Sequence, residues 1–309
     1  WEKFARRIAD SKFRVYITGS NARMLSSEIA TTLGGRYIMK EVYPYNFAEY
    51  LDAHQVAHTK TAQTATKTRA ILQHHFDEYL QYGGFPEGIN LPSKRDYLMS
   101  VYQKIYLGDI AARHRIENAF ALRFLFKKLS ESIMQPLSFT RLANLITSTG
   151  SKISKATVIN YMEYAKDSYL IFSIKNIASH IAEREGNPKY YFVDNGIISL
   201  LTLNAESALL ENMVAMELMR RYGQDNQVFF YNDKVEVDFY IPETGTAIQV
   251  SMYPHESDET WRRETEALVR MNKHLPCSTH LLLTMNEEDT IIIDDITIHM
   301  IPIWKWLLN

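Results

Sequence analysis

From residue 67 to residue 166 the apolar positions recur every three or four residues, the period of helices with one buried face. Residues 67–82 carry them at 71, 72, 76, 79 and 80, and Gly83 with Gly84 stops the run. Residues 94–115 carry them at 98, 101, 102, 105, 106 and 110. Residues 121–133 form a further amphipathic stretch, broken at Gln135-Pro136. Ser138 opens a short helix to Ile146, with Leu142, Leu145 and Ile146 inward, and 148–151 reads as a turn. Ser154 caps a helix through Lys166 whose buried face is Val158, Ile159, Met162 and Ala165. Two extended runs follow, 169–174 and 190–193.

The last third changes period. A helix with apolar residues at 209, 210, 213, 214, 216 and 218 leads into β-rich runs at 228–231 and 235–241. In 246–251, Ile248 and Val250 alternate with Gln249 and Ser251, so two polar side chains share one strand face. A charged helix over 258–268, a strand at 279–284, a hairpin around Asp294-Asp295 and an apolar helix from Pro302 complete an α/β sandwich.

The first fifty residues read as an amphipathic helix over 2–9, then a short buried strand over 13–21 that ends in small polar residues. A helix over 22–33 is capped by Gly34-Gly35, and a second strand covers 37–42. Asn46 and Glu49 are spaced as a capping box at the start of the next helix.

Composition narrows the class. The chain has 309 residues, 46% hydrophobic, with a net charge of −2, so it is neither a polybasic nucleic-acid coat nor an acidic tail. Its single cysteine, Cys277, leaves no internal disulfide and no multi-cysteine zinc site. No apolar run approaches a membrane span and no signal peptide opens the sequence, so a cytoplasmic setting and no membrane partner are expected.

One constellation carries chemistry. Glu211 on the helix, Asp238 in the middle of a strand, and Gln249 and Ser251 on the next strand fall where these elements bring them together. The layout resembles the PD-(D/E)xK nuclease core, in which a helix Glu, a strand Asp and a Glu-x-Lys pair hold a divalent metal and a water. Here Gln249 stands where the second carboxylate belongs and Ser251 where the lysine belongs. An amide oxygen is a weak ligand for a hard cation, and a hydroxyl supplies no positive charge. Glu211 and Asp238 are therefore expected to hold a metal weakly at best, in a degenerate site. Arg262, Arg263 and Lys273 on the following helix are the candidates for a substitute cation.

A wider resemblance runs along the chain. Tyr16-Ile-Thr-Gly-Ser-Asn21, Leu33-Gly-Gly-Arg36, Tyr82-Gly-Gly-Phe-Pro-Glu87, Tyr190-Tyr-Phe-Val-Asp-Asn-Gly-Ile197, Leu210-Glu-Asn212, Glu236-Val-Asp238 and Ile301-Pro302 occur in order. Together they are similar to bacterial and archaeal AAA-type ATPases that carry a winged helix and a C-terminal nuclease-like domain. The resemblance implies ATP with Mg²⁺ as cofactor of a full-length member, and it makes Ser20 and Asn21 the remnant nucleotide-facing residues of the strand called sensor 1. No Gly-x-x-x-x-Gly-Lys-[Ser/Thr] occurs, so no phosphate loop is present and tight nucleotide binding by this chain is not expected. The expected fold is thus a multi-domain α/β one. A partial AAA-type core covers 1–52, a helical lid 66–118, a winged helix 119–194 and a restriction-endonuclease-like α/β domain 195–309.

The outward face of the 154–166 helix decides what the winged helix meets. Lys155 and Lys166, with Arg141 and Lys152 nearby, are the DNA-binding candidates. Glu163 and Asp167 offset much of that charge, so DNA binding is expected to be weak and not sequence-specific. Two functions stay open: a recognition module for a partner protein or DNA within an ATP-binding protein, and an ATPase-coupled, metal-dependent nuclease. The Gln249/Ser251 pair favours the first.

Overall fold

The computed structural model describes residues 2–19, 38, 40–178, 187–203, 205–223 and 227–309. Helix α1 spans Glu2–Asp10. Residues 13–19 follow without regular structure, with Phe13 69% and Tyr16 85% exposed. This corrects the strand expected there. A strand needs a neighbour to satisfy its backbone N–H and C=O groups, and no described strand pairs with these residues. Ile38 and Val42, from the second expected strand, are likewise exposed. Ser20 and Asn21, and the helix expected over 22–33, lie outside the described residues.

The helical middle follows its apolar period closely. Helix α2 (Phe47–Ala53) opens on the expected capping box: the Glu49 backbone N–H donates to Asn46 Oδ1 and the Asn46 N–H to Glu49 Oε2, both at 2.8 Å. Phe47 and Tyr50 pack on Phe76 and Tyr79 of α4 (Thr66–Tyr82), which follows the short helix α3 (Lys60–Thr64). Helix α5 (Lys94–Gln103) runs on into a π-helical stretch over Lys104–Ala112 that buries Tyr106 and Ile110. Then come α6 (Ala119–Ser130), α7 (Phe139–Ser148) and α8 (Lys155–Asp167). Each is capped by the side chain before it, with Ser154 Oγ accepting from Thr157 N at 3.0 Å at the head of α8.

Strands β1 (Ile171–Asn176) and β2 (Lys189–Phe192) form an antiparallel pair. Helices α9 (Asn195–Leu201) and α10 (Glu206–Tyr222) lead to β3 (Phe229–Asn232), β4 (Glu236–Ile241) and β5 (Thr246–Ser251). Helix α11 (Asp258–Met271) crosses to β6 (Thr279–Thr284), and the hairpin β7 (Asp289–Ile293) and β8 (Ile296–Pro302) precedes α12 (Ile303–Trp306). All eight described strands form one mixed sheet in the order β2-β1-β3-β4-β5-β6-β8-β7.

The joint in this sheet is β1. Its residues Ile171–Ile174 pair with β2, while Lys175 and Asn176 pair in parallel with Phe229 and Phe230 of β3. The two strands that follow α8 therefore extend the C-terminal sheet, with β2 as its edge strand. Apolar clusters lie on both faces of the sheet. One contains Leu210 and Val214 of α10 with Phe239, Ile248 and Val250, and the other contains Leu268 and Met271 of α11 with Tyr240, Ala247 and Leu282.

Candidate functional site

The site forms where α10, β2, β4, β5 and α11 meet. Leu210, Met213, Val214 and Leu218 are buried, which seats α10 on the sheet and carries Glu211 inward at 1% exposure. On β4, Asp238 lies across from Gln249 of β5, one step beyond the pairing of Phe239 with Ile248. The side chains replace rungs of the backbone ladder there. Gln249 Oε1 accepts from Asp238 N at 3.2 Å, and Asp238 Oδ2 accepts from Val250 N at 2.9 Å. Three of the four expected residues, Glu211, Asp238 and Gln249, are thus brought together, and Ser251 lines the same groove.

The cation absent from the Ser251 position comes from elsewhere. Lys189 of β2 is fully buried, and its Nζ stands 3.3 Å from Asp238 Oδ1, 3.3 Å from Glu236 Oε1 and 3.4 Å from Glu211 Oε1. Its ammonium also lies 5.4 Å from the centre of the Phe230 ring. Burial opposes the charged form of Lys189, but the carboxylates of Glu211, Asp238 and Glu236 outweigh it and hold the ammonium charged. Tyr191, two residues on along β2, donates to Glu211 Oε1 at 2.8 Å. Burial raises the Glu211 carboxyl above its usual range, and the charge of Asp238 adds to the rise, while Lys189 and the Tyr191 hydroxyl oppose it. Glu211 Oε2 is buried with no hydrogen-bond partner.

A carboxylate is also recruited. Glu264 of α11 is buried, its Oε2 accepts from Gln249 Nε2 at 2.6 Å, and its Oε1 pairs with Arg263. Of the downstream cations expected to stand in for lysine, Arg263 is spent on this pair, and Arg262 and Lys273 are exposed. Lys189 was missed because the substitute cation was expected only after Ser251, and Glu264 because no substitute carboxylate was expected. Two signals were present: Lys189 is a lone cation in a β-rich run, and Glu264 falls in the spacing 261, 264, 268, 271 that marks the buried face of α11.

The donor set does not fit Mg²⁺ as it stands. That ion needs oxygens at about 2.0–2.1 Å in near-octahedral array. The carboxylates instead converge on an ammonium, the Gln249 oxygen is committed to a backbone N–H, and both Glu264 oxygens are engaged. Among the described residues, no three His, Cys, Asp or Glu side chains are grouped to hold a metal ion.

The expected DNA-binding residues, on and beside α7 and α8, are not among those that line the groove. Arg141, Lys152 and Lys155 are exposed, whereas Lys166 is paired with Glu163 at 3.1 Å. No helix among the described residues is long and apolar enough to cross a membrane.

The chain is thus a mixed α/β protein whose N-terminal residues, 1–51, match the family model described as an AAA domain. Residues 73–208 match a second model, described as a domain of unknown function, DUF8612. Over its whole length the chain is 34% identical to the uncharacterized protein MJ1544 of Methanocaldococcus jannaschii, covering 72% of that protein. It belongs to that protein's family. It is also 28% identical to an uncharacterized protein of Haemophilus influenzae, covering 74% of it. No solved structure matches the chain.

Proposed function

We propose that this chain is part of an AAA-type ATP-dependent protein whose C-terminal α/β part is a nuclease-like fold turned to recognition. One observation carries the reading: the Lys189 ammonium holds the point on which the Glu211, Asp238 and Glu236 carboxylates converge. A protein cation there neutralises the acids that a nuclease would spend on Mg²⁺. In this reading ATP with Mg²⁺ is the cofactor of the full-length protein, and this chain alone holds it weakly, because it has no phosphate loop. The helix–turn–helix with β1 and β2 is a winged helix whose contacts with DNA through Arg141, Lys152, Lys155 and Lys166 are weak and fade with salt.

A second reading rests on Lys189 and Glu264. Between them they return to the cluster the two chemical groups that Gln249 and Ser251 lack, an ammonium and a carboxylate. A metal-dependent nuclease would then need Lys189 to move off the acids. A plasmid-nicking assay with Mg²⁺ or Mn²⁺ separates the two. The recognition reading expects intact plasmid with the wild type and nicking only after Gln249→Glu with Ser251→Lys. Nicking by the wild type that Asp238→Ala abolishes would replace it with the nuclease reading.

A further inference from the structure

The groove above the cluster has a volume of about 1200 Å³, room for a stretch of extended chain. Six acids line it, Glu211, Glu236, Asp238, Glu256, Glu264 and Glu266, against the bases Lys234, Arg263 and Arg270. Two of the bases are already used, Arg263 on Glu264 and Arg270 on Glu266 at 2.7 Å. Even with Lys189 beside it the groove stays net negative, and such a surface repels phosphates. Its wall is apolar where Met134, Pro136, Val235, Met252 and Tyr253 line it, and Tyr253 is half exposed. Glu211 adds an independent sign. It lines the groove, and its Oε2 has no hydrogen-bond partner, an acceptor left without a donor.

We propose that this groove binds a segment of a partner protein that alternates basic and apolar side chains, with a lysine or arginine donating to Glu211 and Glu256 and its apolar neighbours on the Met134–Tyr253 wall. This rests on the recognition reading and names the partner's chemistry. Nucleic acid is the disfavoured occupant, because the acids outnumber the bases and the basic residues of α8 lie on a different element.

Fluorescence anisotropy of the 309-residue chain tests it, with a labelled octapeptide of alternating Lys and Leu as probe and alternating Glu-Leu and Lys-Ser octapeptides as comparisons. The Lys-Leu peptide should bind about tenfold tighter than either comparison at moderate salt. Glu211→Gln should weaken it about tenfold and the exposed Glu256→Gln about threefold, while Glu243→Gln, an exposed acid outside the groove, leaves it unchanged. Glu256→Gln keeps the test valid if Glu211→Gln fails to fold. Binding that ignores Glu211 and Glu256, that falls equally with Glu243→Gln, or that is as tight for Lys-Ser overturns the proposal. Failure of the underlying reading is distinguishable: plasmid nicking by the wild type sinks the recognition function, whereas peptide insensitivity without nicking sinks only this inference.

Discussion

Two buried ionic centres lie within one molecule and are built in opposite ways. Around Lys189, one ammonium faces three carboxylates, one carboxylate oxygen has no donor, and the cluster opens on a groove. Around Asp194, no charged partner is within ion-pairing distance among the described residues, yet every oxygen is used. Its Oδ2 accepts from Gly84 N and its Oδ1 from Gly196 N, each at 2.8 Å. Asn195 donates to Leu80 O and Leu209 O, and Asn212 donates to Asn195 Oδ1 and to the Phe192 carbonyl. The second centre knots the end of α4 to β2, α9 and α10, and a ligand would find nothing to bind there. A buried polar group that is fully satisfied fixes a fold, and one left unsatisfied at a groove is available for recognition.

The comparison breaks most visibly at Lys189. Lys189→Met strips the counter-charge from buried carboxylates and should cost about 3–5 kcal/mol in urea unfolding. Adding Glu211→Gln and Asp238→Asn should recover most of it, because neutral amides no longer need the ammonium. If Lys189→Met alone were neutral, the ion pairs would not be holding the cluster. Next comes Gly83→Ala, at the knot. Gly83 has φ +73°, and a Cβ there would lie 1.8 Å from Asp194 Oδ1. Strain and collision together should cost about 3 kcal/mol, with octapeptide binding by the folded fraction unchanged.

Titration sharpens the contrast. Burial pushes the Asp194 carboxyl up to about 7, against the pull of its two backbone donors. A folded-state value above the unfolded one stabilises fully below the unfolded pKa, near 4, and the contribution is lost as pH rises through about 7. Thermal melts from about pH 5 to 8 should therefore show the wild type losing about 2–3 kcal/mol relative to Asp194→Asn, whose side chain does not titrate. Parallel melting curves across that range would show that Asp194 stays ionised in the knot. The smallest effect belongs to the basic face. Replacing Arg141, Lys152, Lys155 and Lys166 by Ala should change stability by about 0.5 kcal/mol or less per site. Gel shifts should lose what DNA binding there is, and binding that survives about 200 mM salt would contradict the weak-contact reading.

Much of this was legible in the sequence. The helical period located α4 to α8, the helix start at Ser138 and the Ser154 cap fell where expected, and the polar face of Gln249 and Ser251 lies at the groove. What failed had physical causes. Of the strands expected over 13–21 and 37–42, the described residues 13–19, 38 and 40–42 form none, because strand identity depends on a neighbour that β-rich composition does not contain. The substitute cation was misplaced because sequence proximity to Ser251 was taken for spatial proximity, and no substitute carboxylate was expected. The turn of the sheet at β1 brings Lys189 in from sixty residues upstream, and α11 returns Glu264 to Gln249 from the next element. The Tyr82–Glu87 and Tyr190–Ile197 motifs were recognised separately, and their meeting through Asp194, Gly84 and Gly196 became visible only in three dimensions.

If Lys189 holds the place a metal would take, its removal should open a metal site that Mn²⁺ electron paramagnetic resonance detects. Free Mn²⁺ is titrated with the wild type, with Lys189→Met and with Lys189→Met carrying Asp238→Asn, each checked by circular dichroism for folding. The wild type should leave the free-ion signal intact at millimolar Mn²⁺, Lys189→Met should deplete it with about tenfold or greater gain in affinity, and Asp238→Asn should reverse the gain. Depletion by the wild type, equal to or stronger than that by Lys189→Met, would contradict it and place a metal beside Lys189 instead of in its stead.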